Sequence, residues 1–293
     1  MKILVLGVTG MLGSMVYNYF RQNKVYDTWG TLRDTRSLSL FAAEDRDNLI
    51  ANIDVLKQDE LINLMARIKP DCVINCIGLI KQLAKANDPL TILPINALFP
   101  HQLANICALS GARLIHVSTD CVFSGKKEGQ YLESDVSDAE DLYGKSKFIG
   151  EVKDKTHVIT LRTSIIGHEL ASNYALIDWF LSQKDSVNGY THAMYSGLPT
   201  VELARVIHDF VLPNQSLYGL YQVASQPISK FELLNLVAQR YNKNIIIIPD
   251  ESLKINRVLC GNRFQQATGY AVPCWDGLVE KMYETKNHEA SYV

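Results

Sequence analysis

"KILVLGVTGMLGSMVYNYFRQN", Lys2 to Asn23, decides how the rest of the chain is read. Ile3 to Leu6 is an apolar run too short for a helix, and it stops at Gly7. Gly10 and Gly13 follow at equal spacing, and helical periodicity begins inside the triplet. A strand that turns on glycine into a helix leaves free N–H groups and a positive dipole end at the turn. Glycines also let the backbone approach a pyrophosphate closely. A glycine-rich turn that merely packs helix on strand reads the same, so the motif is weak alone. Following "MKILVL" directly, it reads as a dinucleotide site.

The second strand is expected to end near Thr31–Arg33, in "GTLRDTR". A carboxylate there binds a ribose 2′-hydroxyl, whereas a guanidinium grips a 2′-phosphate. Arg33 or Arg36 points to NADPH. Asp34 keeps NADH as the alternative, unless it pairs with an arginine. Further on, "DELINLMARIKP" leads into "DCVINCIGLI", "PLTILPINALFPHQLANICALSG" into "RLIHVSTD", and "DLYGKSKFIGEVKDK" into "HVITLRTSIIG". Helices alternating with apolar strands predict an α/β fold, a Rossmann-type doubly wound parallel sheet. After Gly167 the rhythm changes. Residues 168–186 and 199–212 read as helices, "LYGLYQVAS" as a returning strand, "SKFELLNLVAQRYN" as a Ser-capped helix and "IIIIP" as a strand. These predict a smaller C-terminal substrate-binding lobe from about 168–198 and 226–293, with 1–167 and about 199–225 forming the nucleotide domain. The last residues, "KNHEASYV", are expected to fray.

Of the 293 residues, 47% are hydrophobic and 20% charged, and the net charge of −2 gives no reason to expect nucleic acid or a membrane as partner. The six cysteines form no C-x-x-C pair, so neither metal nor disulfides are expected. No apolar run reads as a membrane span and no charged-then-apolar leader opens the chain, which makes cytoplasm the expected compartment.

"RLIHVSTDCVFSG", Arg113 to Gly125, is a buried-strand pattern that ends on two hydroxyls, a carboxylate and a thiol. Its His116 reads as a satisfied core histidine. Downstream, "YGKSK" sets Tyr143 and Lys147 four residues apart, on one face of a helix. An ammonium beside a phenol is expected to lower the phenol's pKa and make it a proton donor or acceptor near neutrality. Tyr-x-x-x-Lys arises easily by chance. The ordered set carries the weight: glycine triplet, hydroxyls closing a later strand, then Tyr and Lys.

With these residues the chain resembles the extended short-chain dehydrogenase/reductase superfamily over nearly its full length. The G-x-x-G-x-x-G spacing is that superfamily's variant. Within it, "STDCVFSG", "DVLKQDEL", "NCIG", Asn96, "LRTS" and "GLPTVELA" are similar to the dTDP-4-dehydrorhamnose reductase-like group. The resemblance implies that Gly7, Thr9, Gly10, Met11, Leu12 and Gly13 hold the cofactor. Asp54 and Val55 would face adenine, and Asn75, Cys76, Ile77, Gly78 and Asn96 would line the site. Thr119 becomes the catalytic hydroxyl, Tyr143 the acid/base, and Lys147 its tuner and ribose ligand. The implied activity is NADPH-dependent reduction of the C4 keto group of a nucleotide-activated 4-keto-6-deoxysugar, serving surface-polysaccharide synthesis.

Ser118, Asp120, Cys121, Lys81 with Gln82, His168, Arg257 and Arg263 are the candidate substrate contacts. Sugar 4,6-dehydratases carry Glu where this chain has Cys121, so dehydration is not expected. The reductases usually have an aromatic there, so Cys121 departs from them too. A GDP-fucose synthase-like epimerase-reductase, using Cys121 with His168, is one alternative. A non-catalytic nucleotide-binding regulatory subunit is another. The superfamily also implies a homodimer through the long helix after the fourth strand and the Tyr-bearing helix.

Overall fold

A computed structural model describes residues 1–81 and 87–290. Its centre is a seven-stranded sheet in which every pairing is parallel. The first six strands are β1 (Lys2–Leu6), β2 (Asp27–Thr31), β3 (Leu49–Ile50), β4 (Cys72–Asn75), β5 (Arg113–Thr119) and β6 (Val158–Thr163). Gly219–Gln222 returns to pair beside β6, giving the order 219–222, β6, β5, β4, β1, β2, β3. The order reverses between β1 and β4, the point at which such sheets bind ligands outside the carboxyl ends of their strands.

Successive strand residues point to opposite faces. Ile3, Val5, Ile74, Ile115 and Ile159 therefore join Val16, Phe20, Leu203 and Ile207 in one core. Leu4, Leu6, Val73 and Leu114 join Leu61, Leu64, Phe99 and Leu103 in the other. Burial on both faces explains why β4 reads as an apolar run up to Asn75 and why β6 is buried throughout, Thr160, Arg162 and Thr163 included.

The helix Pro89–Ser110 is long and apolar enough to cross a membrane, contrary to the sequence expectation, but half of it is buried in the protein. Ile92, Phe99, Leu103 and Cys107 are buried, so its apolar character is largely that of a core helix. Its Leu93–Leu98 stretch is π-helical and contains Pro94, which has no N–H to continue the ladder.

Helices were over-read from the sequence in two places. Residues 168–186 hold a helix only at Leu176–Ser182, and the Tyr-bearing helix covers only Leu142–Ile149. Gly150 ends the latter early. The helix over 200–211 forms as expected, with its second half π-helical. Ser229 opens the helix Lys230–Arg240 with a capping box: its hydroxyl accepts from Glu232 N at 3.1 Å and Glu232 accepts from Ser229 N at 3.0 Å. Beside it, Ile228–Ser229, Ala193–Tyr195 and Ile255–Asn256 form a three-stranded sheet, and Ser186–Tyr190 pairs with Ile246–Asp250. The last helix, Trp275–Ala290, runs through most of the segment expected to fray, and residues 291–293 lie outside the described residues, as does Gln82.

Candidate active site

Gly7 closes β1 with φ +82°, and a Cβ on Gly13 would stand 2.1 Å from the Gly7 carbonyl oxygen, so glycine alone allows this helix to sit so close to the strand. Gly10 is the N-cap and offers no side chain to the first turn, while Thr9 and Gly10 are exposed beyond the end of β1 and Met11 is half-buried. Leu12 is buried and anchors the turn to the core. Across the switch point, Asn75 Oδ1 accepts from Ile77 N at 3.1 Å and its Nδ2 lies 3.1 Å from His116 Nδ1. Cys76 and Ile77 follow half-buried, and Gly78 is exposed. His116 is fully buried, yet its Nε2 has no partner among the described residues, so it is not the fully satisfied core histidine expected.

At the end of β2, Asp34 accepts from Arg36 N at 2.9 Å and from Arg36 Nε at 2.8 Å. Those hydrogen bonds pull the Asp34 carboxyl down to about 2. Asp34 and Arg36 are thus each other's partners, and the exposed Arg33 is the guanidinium left over. Asp54 turns inward on its own loop, accepting from Leu56 N at 3.1 Å, and Val55 packs against the core.

The chemical end gathers where β5 stops. Thr119 is buried, donates to Asp120 Oδ1 at 3.2 Å and accepts from Cys121 N at 3.2 Å. The Tyr143 phenol stands near enough for the Thr119 hydroxyl to act on its ionisation. Burial pushes that phenol up, Cys121 and Asp120 add to the rise, and Thr119 works against it. Lys147 is not among the groups that act on it, and the expected lowering of the phenol is replaced by a rise. A raised pKa keeps the phenol protonated at neutral pH, the form needed to give a proton to a ketone being reduced. Lys147 donates to the Val117 carbonyl at 2.8 Å, and burial draws its pKa down to about 8 against the pull of Glu151 and Cys76.

Asn96 locks the surrounding frame. It accepts from Leu79 N at 2.9 Å, donates to the Leu79 carbonyl at 3.1 Å and reaches Ser146 Oγ at 3.3 Å. The Tyr-bearing helix is capped by Asp141, which accepts from Gly144 N at 2.7 Å and from Lys81 Nζ at 2.6 Å. Lys81, read as a substrate contact, is thus spent on the cap. Ser118 is likewise spent, donating to Glu151 at 2.9 Å.

The structure keeps Cys121 and His168 in separate networks. Cys121 Sγ lies 3.6 Å from Arg257 Nη1, and burial with Asp120 beside it pushes the thiol up to about 12. His168 has Asp178 Oδ1 at 2.6 Å on Nδ1 and the Tyr241 hydroxyl at 2.8 Å on Nε2, so both ring nitrogens are occupied. Arg257 also donates to the Phe123 carbonyl at 2.8 Å and belongs to the site, whereas Arg263 is exposed and stacks on Tyr221, its guanidinium 4.5 Å from the ring centre.

Two features escaped the sequence reading. Lys230 stands beside Tyr195, with Nζ 3.9 Å from the ring centre, and its charge acts on Asp120 and Cys121. Its only sequence signal is an odd position, a lysine at the first turn of a helix, where the dipole disfavours it. Beneath the site, Glu151 takes two hydrogen bonds from the fully buried Arg162, at 2.8 and 2.7 Å. Among the described residues no cluster of His, Cys, Asp and Glu could hold a metal.

Comparison with known proteins gives this geometry a context. Residues 1–256 match the family described as RmlD substrate binding domain. A dTDP-4-dehydrorhamnose reductase of Aggregatibacter actinomycetemcomitans is 24% identical over 264 residues, covering 84% of this chain and 83% of that one. Methionine adenosyltransferase 2 subunit beta of Danio rerio is 26% identical over 255 residues, covering 82% and 74%. The crystal structure of dTDP-4-dehydrorhamnose reductase from Bacillus anthracis in complex with NADP superposes with a TM-score of 0.78 at 19% identity, covering 97% of this chain and 99% of that one.

Proposed function

From the premise that this chain belongs to the RmlD substrate binding domain family, a group of extended short-chain dehydrogenase/reductase type, we propose that it is an NADPH-dependent reductase of a nucleotide-activated 4-keto-6-deoxysugar. The observation that carries the reading is the gathering of the buried Thr119 hydroxyl, the Tyr143 phenol on which it acts and the Val117-bound Lys147 at the carboxyl end of β5. The cofactor supplies a hydride to C4 when bound in the crevice between β1 and β4. Thr119 would hold and polarise the carbonyl oxygen, and Tyr143 would deliver its proton. Lys147, held by Val117, would grip the nicotinamide ribose. Residues 168–198 and 226–293 would form the sugar-binding side. A role in surface-polysaccharide sugar synthesis and a cytoplasmic setting follow from this reading.

Two further points belong to it. Arg36 is taken by Asp34, so Arg33 is the 2′-phosphate ligand in this account. Losing one charge-assisted contact costs about 1.5–3 kcal/mol. Arg33→Ala should therefore raise the Kd for NADPH by about 10–100-fold and leave NADH unchanged; equal losses by fluorescence titration would refute the assignment. Leu98, Leu109 and Ile149 are exposed on the long and Tyr-bearing helices, at 55%, 88% and 52%, which supports a homodimer through them. A monomeric mass by light scattering at micromolar concentration would count against that.

The epimerase-reductase alternative loses ground. Cys121 is a raised thiol, and His168 has no free nitrogen to share with it. Incubating the protein and NADPH with dTDP-, UDP- and GDP-4-keto-6-deoxysugars tests the main reading. NADPH oxidation by at least one sugar is expected, and none by any would sink it.

A further inference from the structure

Lys230 is unexplained by the reaction as described. It is the first residue of the helix that Ser229 caps, against the positive end of the dipole. The residue is half-buried, and among the described residues its close partner is the face of Tyr195, which is itself only 4% exposed. Strand pairing fixes where it comes from. Ser229 and Asn256 both sit opposite Met194, on either side of the central strand, and the chain leaves those strands as Lys230 and Arg257. Arg257 touches Cys121, whose N–H is bonded to Thr119, so this small sheet carries two cations to the end of β5.

An ammonium has three donors, and withdrawing it from water without acceptors is costly. Among the described residues no oxygen lies within hydrogen-bond or ion-pair distance of Lys230 Nζ, and desolvation pulls its pKa down to about 8. Its acceptors therefore come from outside the chain, from water when the site is empty and from a ligand that displaces that water. Asp120, which acts electrostatically on the same ammonium, would repel a diphosphate but not a neutral hydroxyl.

We propose that Lys230 is a sugar-contacting residue that sets substrate specificity, its ammonium donating to hydroxyl oxygens of the sugar ring beside the carbonyl that Thr119 and Tyr143 engage. This inference rests on the sugar-nucleotide reading above, but binding alone tests it. Lys230→Met keeps the length of the side chain and removes the donors. Calorimetry would compare dTDP with dTDP-glucose, UDP with UDP-glucose and GDP with GDP-mannose, in wild type and variant. For the pair that binds, the variant should weaken the nucleotide sugar by about tenfold or more and the nucleoside diphosphate by less than about twofold. Lys230→Gln, which keeps one donor group, should recover part of the loss. An unchanged Kd for NADPH establishes that either variant is folded. Equal weakening of both ligands would make Lys230 a phosphate contact, and no weakening would make it structural; either result overturns the proposal. Sugar-dependent binding through Lys230 without turnover of any 4-keto sugar would instead retire the reductase reading and leave this one standing. If no nucleotide sugar binds wild type, both fall.

Discussion

Tyr143→Phe is expected to lower kcat by about 10²–10⁴-fold, because one positioned proton donor contributes about that much. Among the described residues the phenol acts with Thr119 at the end of β5 beside the buried Asp120 and the Cys121 thiol, and that thiol is pushed up to about 12. Asp120 accepts the Thr119 hydrogen bond at 3.2 Å. Removing the phenolic oxygen leaves the glycine turn and the Lys147–Val117 bond untouched, so the Kd for NADPH should stay within about twofold of wild type. Stopped-flow reduction with a competent sugar reads both values. Near-wild-type turnover would move the proton transfer to another group.

The largest expected effect on stability lies beneath the site. Glu151 is 5% exposed and holds Arg162, which is fully buried, through two hydrogen bonds, with Lys153 2.9 Å away as a further ion partner. Burial works to raise the Glu151 carboxyl, but Arg162 and Lys153 outweigh it and hold the group ionised below its ordinary pKa. Glu151→Ala strands a buried guanidinium that already has one nitrogen, Nη1, without a partner among the described residues. Breaking such a pair from one side costs about 3–5 kcal/mol, a large share of the stability of an ordinary domain. Urea denaturation followed by tryptophan fluorescence should show the midpoint fall accordingly. A loss below about 1 kcal/mol would mean that water or a rearranged Lys153 replaces the carboxylate.

Much of this arrangement could be read from the residues. The glycine triplet after Leu6 specified the turn because Gly13 admits no Cβ against Gly7, and the apolar runs at 72–74 and 114–115 specified buried parallel strands. Thr119, Tyr143 and Lys147 were legible as an ordered set. What periodicity did not reveal was pairing over long sequence distances. Lys81 meets Asp141 and Ser118 meets Glu151, partners that lie 60 and 33 positions away. His168 meets Tyr241 across 73 positions, which no local pattern announces. Helix ends were over-read where Gly150 and the irregular stretch before Leu176 interrupt an apolar pattern. Lys230 was missed because its significance comes from Tyr195 and Asp120, brought to it by the small sheet.

Hydride transfer itself is the most direct measurement of the central claim. NADPH deuterated at the nicotinamide C4, on each face in turn, would be incubated with the 4-keto-6-deoxysugar nucleotide that supports oxidation, and the product examined by NMR. The account predicts deuterium on C4 of the sugar from one face alone, with none carried by Tyr143→Phe above its residual rate. A protein that binds labelled NADPH and the sugar nucleotide yet leaves C4 unlabelled would contradict it.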